Sequence, residues 1–118
     1  MKTVLVVDDE SEIVELVALL LEGHVSVLPA YDGESALEIV RECRPDLVLA
    51  DMIMPRLDGQ ELCRLIRSDP AIRATKIILM SAGLRMDPAG CQADAHIAKP
   101  FDVADLTDTV NQLLLETV

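Results

Sequence analysis

Short apolar runs that alternate with amphipathic segments constrain the fold of this chain most strongly. The runs are rich in Val, Leu and Ile, as expected for strands buried on both faces. Between the runs, apolar residues recur every three or four positions, which is helical spacing. Alternating strands and helices favour an α/β fold with a parallel sheet and helices on both of its faces. We predict strands at 4–7, 25–29, 47–50, 76–80 and 95–98, and helices at 11–21, from 32–33 to near 45, at 58–68, near 88–92 and after 102.

Two proline-containing segments refine this prediction. Pro29 cannot donate a hydrogen bond to a neighbouring strand, so the second strand should lie at an edge of the sheet. Only residues 82–94 connect the fourth strand to the fifth, which is near the minimum for a parallel crossover. Pro88 suits a first helical position, but Gly90 weakens a helix two residues later. We therefore predict a fourth helix that is shortened or irregular.

Charge and cysteine content exclude several classes of function. The formal net charge of −11 argues against binding of nucleic acid or an anionic membrane through this domain, because both need a basic face. No apolar run is long enough to span a bilayer, and no signal peptide is evident, so we expect one cytoplasmic domain over residues 1–118. The odd number and scattered positions of Cys43, Cys63 and Cys91 indicate reduced, space-filling thiols.

Polar residues follow four of the five predicted strands, where ligands bind in a parallel sheet. They are Asp8, Asp9 and Glu10 after the first strand, then Asp51, Ser81 and Lys99. Clustered carboxylates repel one another, and a divalent cation relieves that repulsion. Hard oxygen ligands suit Mg²⁺, which also leaves room for a phosphate oxygen. A carboxylate can attack phosphorus, while a metal and a lysine offset the charge that develops.

Each of these features alone has a simpler explanation. An acidic pair after a strand often marks a helix N-terminus, where the helix dipole favours negative charge. Lys99-Pro100 alone is more often a turn than a site, and His96 in a strand is more often a packed histidine than a ligand. The joint placement of these residues at strand ends is what favours a functional site.

Five stretches of the chain carry a family resemblance. They are Val4-Leu-Val-Val-Asp8-Asp9-Glu10, Asp46-Leu-Val-Leu-Ala-Asp51-Met-Ile-Met-Pro55, Asp58-Gly59, Met80-Ser81-Ala82 and Lys99-Pro100-Phe101. With them, essentially the whole chain resembles the receiver domain of bacterial two-component systems. The resemblance implies a flavodoxin-like sheet with strand order 2-1-3-4-5. It also implies that Asp51 accepts a phosphoryl group from a sensor histidine kinase or a phosphotransfer protein. Such a domain is a signalling module that catalyses its own phosphorylation and slow dephosphorylation.

The resemblance also assigns roles to individual residues around Asp51. Asp9, Asp51 and the main-chain carbonyl of Ile53 would bind Mg²⁺, and Asp8 would act mainly through water. Ser81 and Lys99 would contact the phosphoryl group.

Further roles concern switching and the lifetime of the phosphorylated state. Ser81 and His96 would form the switch, although Tyr or Phe is commoner than His at that position. Ile53 and Gly83 occupy positions that tune water access, and neither can orient a water, so the aspartyl phosphate should be long-lived. We also expect a cis Lys99-Pro100 peptide bond. Phosphorylation-dependent dimerisation is a further implication of the resemblance.

Three alternative functions fit these residues less well. A flavodoxin-like nucleotide binder would need a Ser-, Thr- and Gly-rich loop after the first strand, where Asp8-Asp9-Glu10 stands instead. A phosphatase of the haloacid dehalogenase type would carry its nucleophile after the first strand, with acids spaced by one residue. A pseudo-receiver, which binds partners without phosphorylation, would be expected to lack part of the site.

Overall fold

A computed structural model describes residues 1–82 and 91–116 as a five-stranded parallel sheet flanked by helices. The strand order is β2-β1-β3-β4-β5, which confirms the predicted topology. In chain order, the elements are β1 (Thr3–Val7), α1 (Ser11–Leu21), β2 (Ser26–Ala30), α2 (Gly33–Cys43), β3 (Leu47–Asp51), α3 (Gly59–Ser68), β4 (Lys76–Ser81), β5 (Ala95–Ala98) and α4 (Val103–Leu115).

Aspartates fix the first turns of three helices. The side chain of Asp32 accepts a hydrogen bond from the Ser35 N–H at 2.7 Å. Asp58 and Asp102 cap α3 and α4 in the same way. Each aspartate satisfies an N–H group that the helix itself leaves without a partner. The starts of α2, α3 and α4 therefore follow from local sequence.

The two faces of the sheet each support a separate apolar core. Successive side chains of a strand point to opposite faces, so β1 and β3 contribute to both cores. Helices α1 and α4 cover one face, and α2 and α3 cover the other. The first core includes Val4, Val6, Leu47, Leu49, Val14, Val17, Leu106 and Val110, and the second includes Leu5, Val7, Val48, Ala50, Ala36, Val40, Leu62 and Ile66. Burial of the central strands on both faces makes the sheet a rigid base for groups at its edge.

Three apolar residues at helical spacing, which would place them on packing faces, are exposed. Leu16 on α1, Leu65 on α3 and Val103 at the start of α4 are 43%, 38% and 51% exposed. A helix on a sheet buries a single stripe, and the stripe of α1 runs through Val14, Val17 and Leu21 instead. Helical spacing alone therefore predicted a wider buried face than the sheet covers.

The prediction for Pro29 is confirmed, because β2 lies at an edge of the sheet. The predicted short helix near 88–92 falls largely on residues 83–90, which lie outside the described residues. Within 1–82 and 91–116, no helix has both the length and the apolar character needed to cross a membrane.

Candidate functional site

The carboxyl ends of β1 and β3 bring three carboxylates together. Asp8 and Asp9 follow β1, and Asp51 is the last residue of β3. Ligand oxygens of the three side chains all lie within 4.8 Å of one another. Asp8 is fully buried and Asp51 nearly so, whereas Asp9 is exposed to solvent. The predicted acidic cluster is therefore present, with one member open to the outside.

Lys99 joins this cluster from the end of β5. Its Nζ lies 2.7 Å from Oδ2 of Asp8 and 3.3 Å from Oδ2 of Asp51. The Lys99 N–H donates to the Ser81 carbonyl at 2.7 Å, which extends the pairing of β5 with β4. The Lys99-Pro100 peptide bond is cis, as predicted. One ammonium group is thus shared between two buried carboxylates.

Main-chain N–H groups orient both buried carboxylates. Oδ1 of Asp8 accepts a hydrogen bond from the Glu10 N–H at 2.9 Å, and Oδ1 of Asp51 accepts one from Ile53 at 3.3 Å. In each aspartate, one oxygen faces the main chain while the other faces Lys99. The backbone therefore sets which carboxylate oxygen meets the ammonium group.

The electrostatics of the site oppose ionisation of Asp51. Burial, and then the negative charge of Asp8, raise the pKa of Asp51 above its ordinary value, although Lys99 partly offsets this. Burial would lower the pKa of Lys99, but its hydrogen bond to Asp8 and the charges of Asp51 and Asp8 raise it overall. Within the described residues, the cluster sets three carboxylates against this one ammonium group. A divalent cation held by oxygen ligands fits that excess of negative charge.

Gly59 lets the start of α3 pack against the main chain at Asp51. The Gly59 N–H donates to the Met52 carbonyl at 3.1 Å, and the Met52 N–H donates to the Met80 carbonyl at 2.7 Å. A Cβ atom on Gly59 would lie only 2.3 Å from the Asp51 carbonyl oxygen. We had not assigned Gly59 a role, although an Asp-Gly pair at a helix start was a visible signal.

The remaining predicted site residues lie around this centre. Ser81 is buried at the end of β4, one residue beyond Met80, which is the register partner of Asp51. His96 is half-buried in β5 opposite Leu79. The side chain of Ile53 is largely exposed beside Asp51. The predicted role of Gly83 falls on a residue outside the described part of the chain.

Comparison with known proteins identifies a protein family and individual relatives that this chain resembles. The family model described as "Response regulator receiver domain" matches residues 4–111. The response regulator GtcR of Aneurinibacillus migulanus is 38% identical over 106 residues, covering 86% of this chain and 43% of the relative. The DNA-binding response regulator MtrA of Mycobacterium tuberculosis H37Rv is 35% identical over 116 residues, covering 94% and 50%. This chain thus spans about half the length of these relatives.

A solved structure agrees with the sequence comparisons. The receiver domain of the Francisella response regulator 1452 superposes with a TM-score of 0.89 at 28% identity. The match covers 98% of each chain. Sequence and structure therefore point to the same family.

Proposed function

This chain belongs to the response regulator receiver domain family of two-component signalling, and we propose that Asp51 is its Mg²⁺-dependent phosphoacceptor. The phosphoryl donor would be a sensor histidine kinase or a phosphotransfer protein in the cytoplasm. The observation that carries the proposal is the contact of Lys99 with the buried Asp8 and Asp51 beside the exposed Asp9. Family membership makes a flavodoxin-like nucleotide binder or a dehalogenase-type phosphatase a poor explanation of that cluster.

Asp51 acts as the nucleophile in this proposal. One of its carboxylate oxygens forms a new bond to phosphorus as the bond from phosphorus to the donor's histidine nitrogen breaks. The Ile53 N–H, bonded to Oδ1 of Asp51, keeps the carboxylate oriented for the attack. Lys99, already 3.3 Å from Oδ2 of Asp51, offsets negative charge on the phosphoryl oxygens, and the Ser81 hydroxyl contacts another of these oxygens.

The acidic cluster supplies the ligands for the metal ion. Asp9 and Asp51 would hold Mg²⁺ directly, together with the main-chain carbonyl of Ile53, and Asp8 would contribute through a water molecule. Once bound, Mg²⁺ neutralises charge between the carboxylates and the incoming phosphoryl group. Asp8 is already engaged by Lys99 at 2.7 Å, which is consistent with an indirect role.

Phosphorylation would then change the surface that other proteins contact. Ser81 ends β4 and His96 lies in the adjacent β5, so a phosphoryl group bound by Ser81 would act on neighbouring strands. This change would control partner binding, including phosphorylation-dependent dimerisation of the chain. We further propose that the phosphorylated state is long-lived, because Ile53 has no polar group to position an attacking water.

Phosphorylation by a small donor tests the proposal directly. The protein is incubated with acetyl phosphate and Mg²⁺, and its intact mass is measured. We expect a gain of one phosphoryl group that disappears with a metal chelator and in Asp51→Asn. Asp58→Asn is a matched control, because Asp58 is an aspartate in the following loop that caps α3 and should leave the mass gain intact. A wild-type protein that gains no mass under these conditions would instead be a phosphorylation-independent interaction module.

A further inference from the structure

Two of the three cysteines lie side by side, away from the acidic cluster. Cys63 is fully buried on α3, in the core between α2, α3 and the sheet. Cys91 precedes β5, is partly exposed and packs against the same core. The Cys91 thiol lies close enough to Cys63 to raise the pKa of the Cys63 thiol through their side-chain interaction. The sequence expectation of scattered, space-filling thiols therefore misses a close pair.

Arg67 holds the chain around Cys91 against α3. Residues four apart on a helix share a face, so Arg67 lies one turn beyond Cys63 on the same side of α3. Its Nε donates to the Gln92 carbonyl at 2.8 Å, and its guanidinium contacts Oδ2 of Asp94 at 2.8 Å. The Asp94 carboxylate also accepts the Ile77 N–H at 2.8 Å, which ties this segment to β4. These contacts hold residues 92–94 against α3, beside the helical turn that carries Cys63.

We propose that Cys63 and Cys91 are a site of reversible oxidation that forms an intramolecular disulfide. Hydrogen peroxide is the oxidant that we assign to this chemistry. The disulfide would link α3 covalently to the segment that enters β5. Reversible disulfides in cytosolic proteins commonly serve redox sensing. This proposal does not depend on phosphorylation of Asp51.

The exposure of the two thiols sets the order of the reaction. Burial, followed by contact with Cys91, raises the pKa of the Cys63 thiol to about 12, so Cys63 stays protonated at neutral pH. The partly exposed Cys91 is the sulfur that meets peroxide. Cys91 takes one peroxide oxygen to form a sulfenic acid, and water leaves. The Cys63 sulfur then bonds to the Cys91 sulfur, and the sulfenic hydroxyl departs with the Cys63 proton as a second water.

Thiol counting and peptide mapping test this proposal. The full chain carries Cys43→Ser, because exposed Cys43 would otherwise form bonds between molecules. After treatment with hydrogen peroxide, the protein is quenched in acid, unfolded and alkylated. We expect loss of both alkylatable thiols, a mass lower by two hydrogen atoms, and a peptide linking Cys63 to Cys91. A thiol reductant should restore both thiols.

A substitution at the partly exposed cysteine provides the control. In Cys91→Ser, we expect Cys63 to remain a free thiol at the same peroxide concentration, because it is buried and protonated. Two free thiols after treatment of the Cys43→Ser protein would overturn the proposal. An oxidised Cys91 beside an intact Cys63 thiol would overturn it as well.

Discussion

A Gly59→Ala substitution should separate the stability of this domain from the placement of Asp51, its proposed phosphoacceptor. Gly59 is the first residue of α3, and it lies against the main chain at the end of β3. An added methyl group would meet the Asp51 carbonyl oxygen at 2.3 Å and the Met52 Cα at 2.9 Å. Both neighbours are backbone atoms, so a side-chain rotation cannot relieve the contact.

The size of the effect follows from the distance that must open. Reaching a separation of 3.0 Å from the Asp51 oxygen requires a shift of about 0.7 Å between α3 and β3. Overpacking of this kind typically costs about 1–3 kcal/mol of stability. A misplacement of about 1 Å at reacting atoms can cost roughly 100-fold in rate. We therefore expect Gly59→Ala to lower the free energy of unfolding by about 2 kcal/mol. We also expect it to lower the phosphorylation rate by about tenfold or more.

Gly33→Ala provides a matched control for this experiment. Gly33 is also the first residue of a helix that follows an aspartate cap, and a Cβ there would lie 2.3 Å from the Leu57 carbonyl oxygen. The steric conflict is therefore of the same kind, but it falls on a different part of the main chain from Asp51. We expect a similar loss of stability with a much smaller loss of phosphorylation rate.

Urea unfolding and phosphorylation by acetyl phosphate measure the two quantities separately. Rates are compared at a temperature where both variants are fully folded, so that unfolding does not contribute. Equal phosphorylation rates in Gly59→Ala and Gly33→Ala, at comparable stability, would refute the argument that Gly59 positions Asp51. A Gly59→Ala protein as stable as the wild type would refute the steric argument itself.

Three further predictions concern charged groups. Lys99→Met should lower the free energy of unfolding, measured in urea without divalent cations, by about 3 kcal/mol, because Asp8 is left buried without its ammonium partner. An unchanged urea midpoint would contradict this prediction. Asp51→Asn should become more stable than wild type in chelator as the pH rises. Burial and the Asp8 charge raise the pKa of Asp51, so its contribution to stability is complete below the ordinary carboxyl pKa of 3.8 and is lost as pH rises through the folded value. A stability difference that shrinks as pH rises would show that the sign is wrong. Arg67→Met should lower the free energy of unfolding by about 3 kcal/mol in the same assay. The Arg67 guanidinium, which this change removes, donates to three carbonyls and to Asp94. The exposed Arg73→Met should change stability by less than about 0.5 kcal/mol, because only the main-chain carbonyl of Arg73 contacts Arg67.

The sheet and the members of its site were predictable because they depend on local patterns. Apolar runs locate the strands, and parallel strands bring their carboxyl ends to one edge. Asp8, Asp9 and Asp51 therefore had to lie near one another once the strands were placed. The aspartates before α2, α3 and α4 likewise fixed helix starts through hydrogen bonds within a few residues.

The missed features depend on contacts between distant parts of the chain. The pairing of Cys63 with Cys91 requires α3 to pack beside the segment that enters β5, and no local spacing specifies this. The exposure of Leu16 depends on the rotation of α1 about its own axis against the sheet. Apolar spacing alone does not fix this rotation closely enough to decide which residues at the edge of the apolar stripe are buried. The sharing of Lys99 between two carboxylates also depends on the packed arrangement of β1, β3 and β5.

The position of the acidic cluster in the sheet explains why its carboxylates stay close together. Asp8 follows β1 and Asp51 ends β3, two strands with completely buried core residues that each lie between neighbouring strands. Repulsion between these carboxylates can therefore not be relieved by moving the main chain, and it persists until a cation or a proton arrives. The same rigidity keeps Lys99 within reach of both acids. A site on a mobile loop would relax its repulsion, whereas this one retains the excess negative charge that the proposed divalent ion and phosphoryl transfer would require.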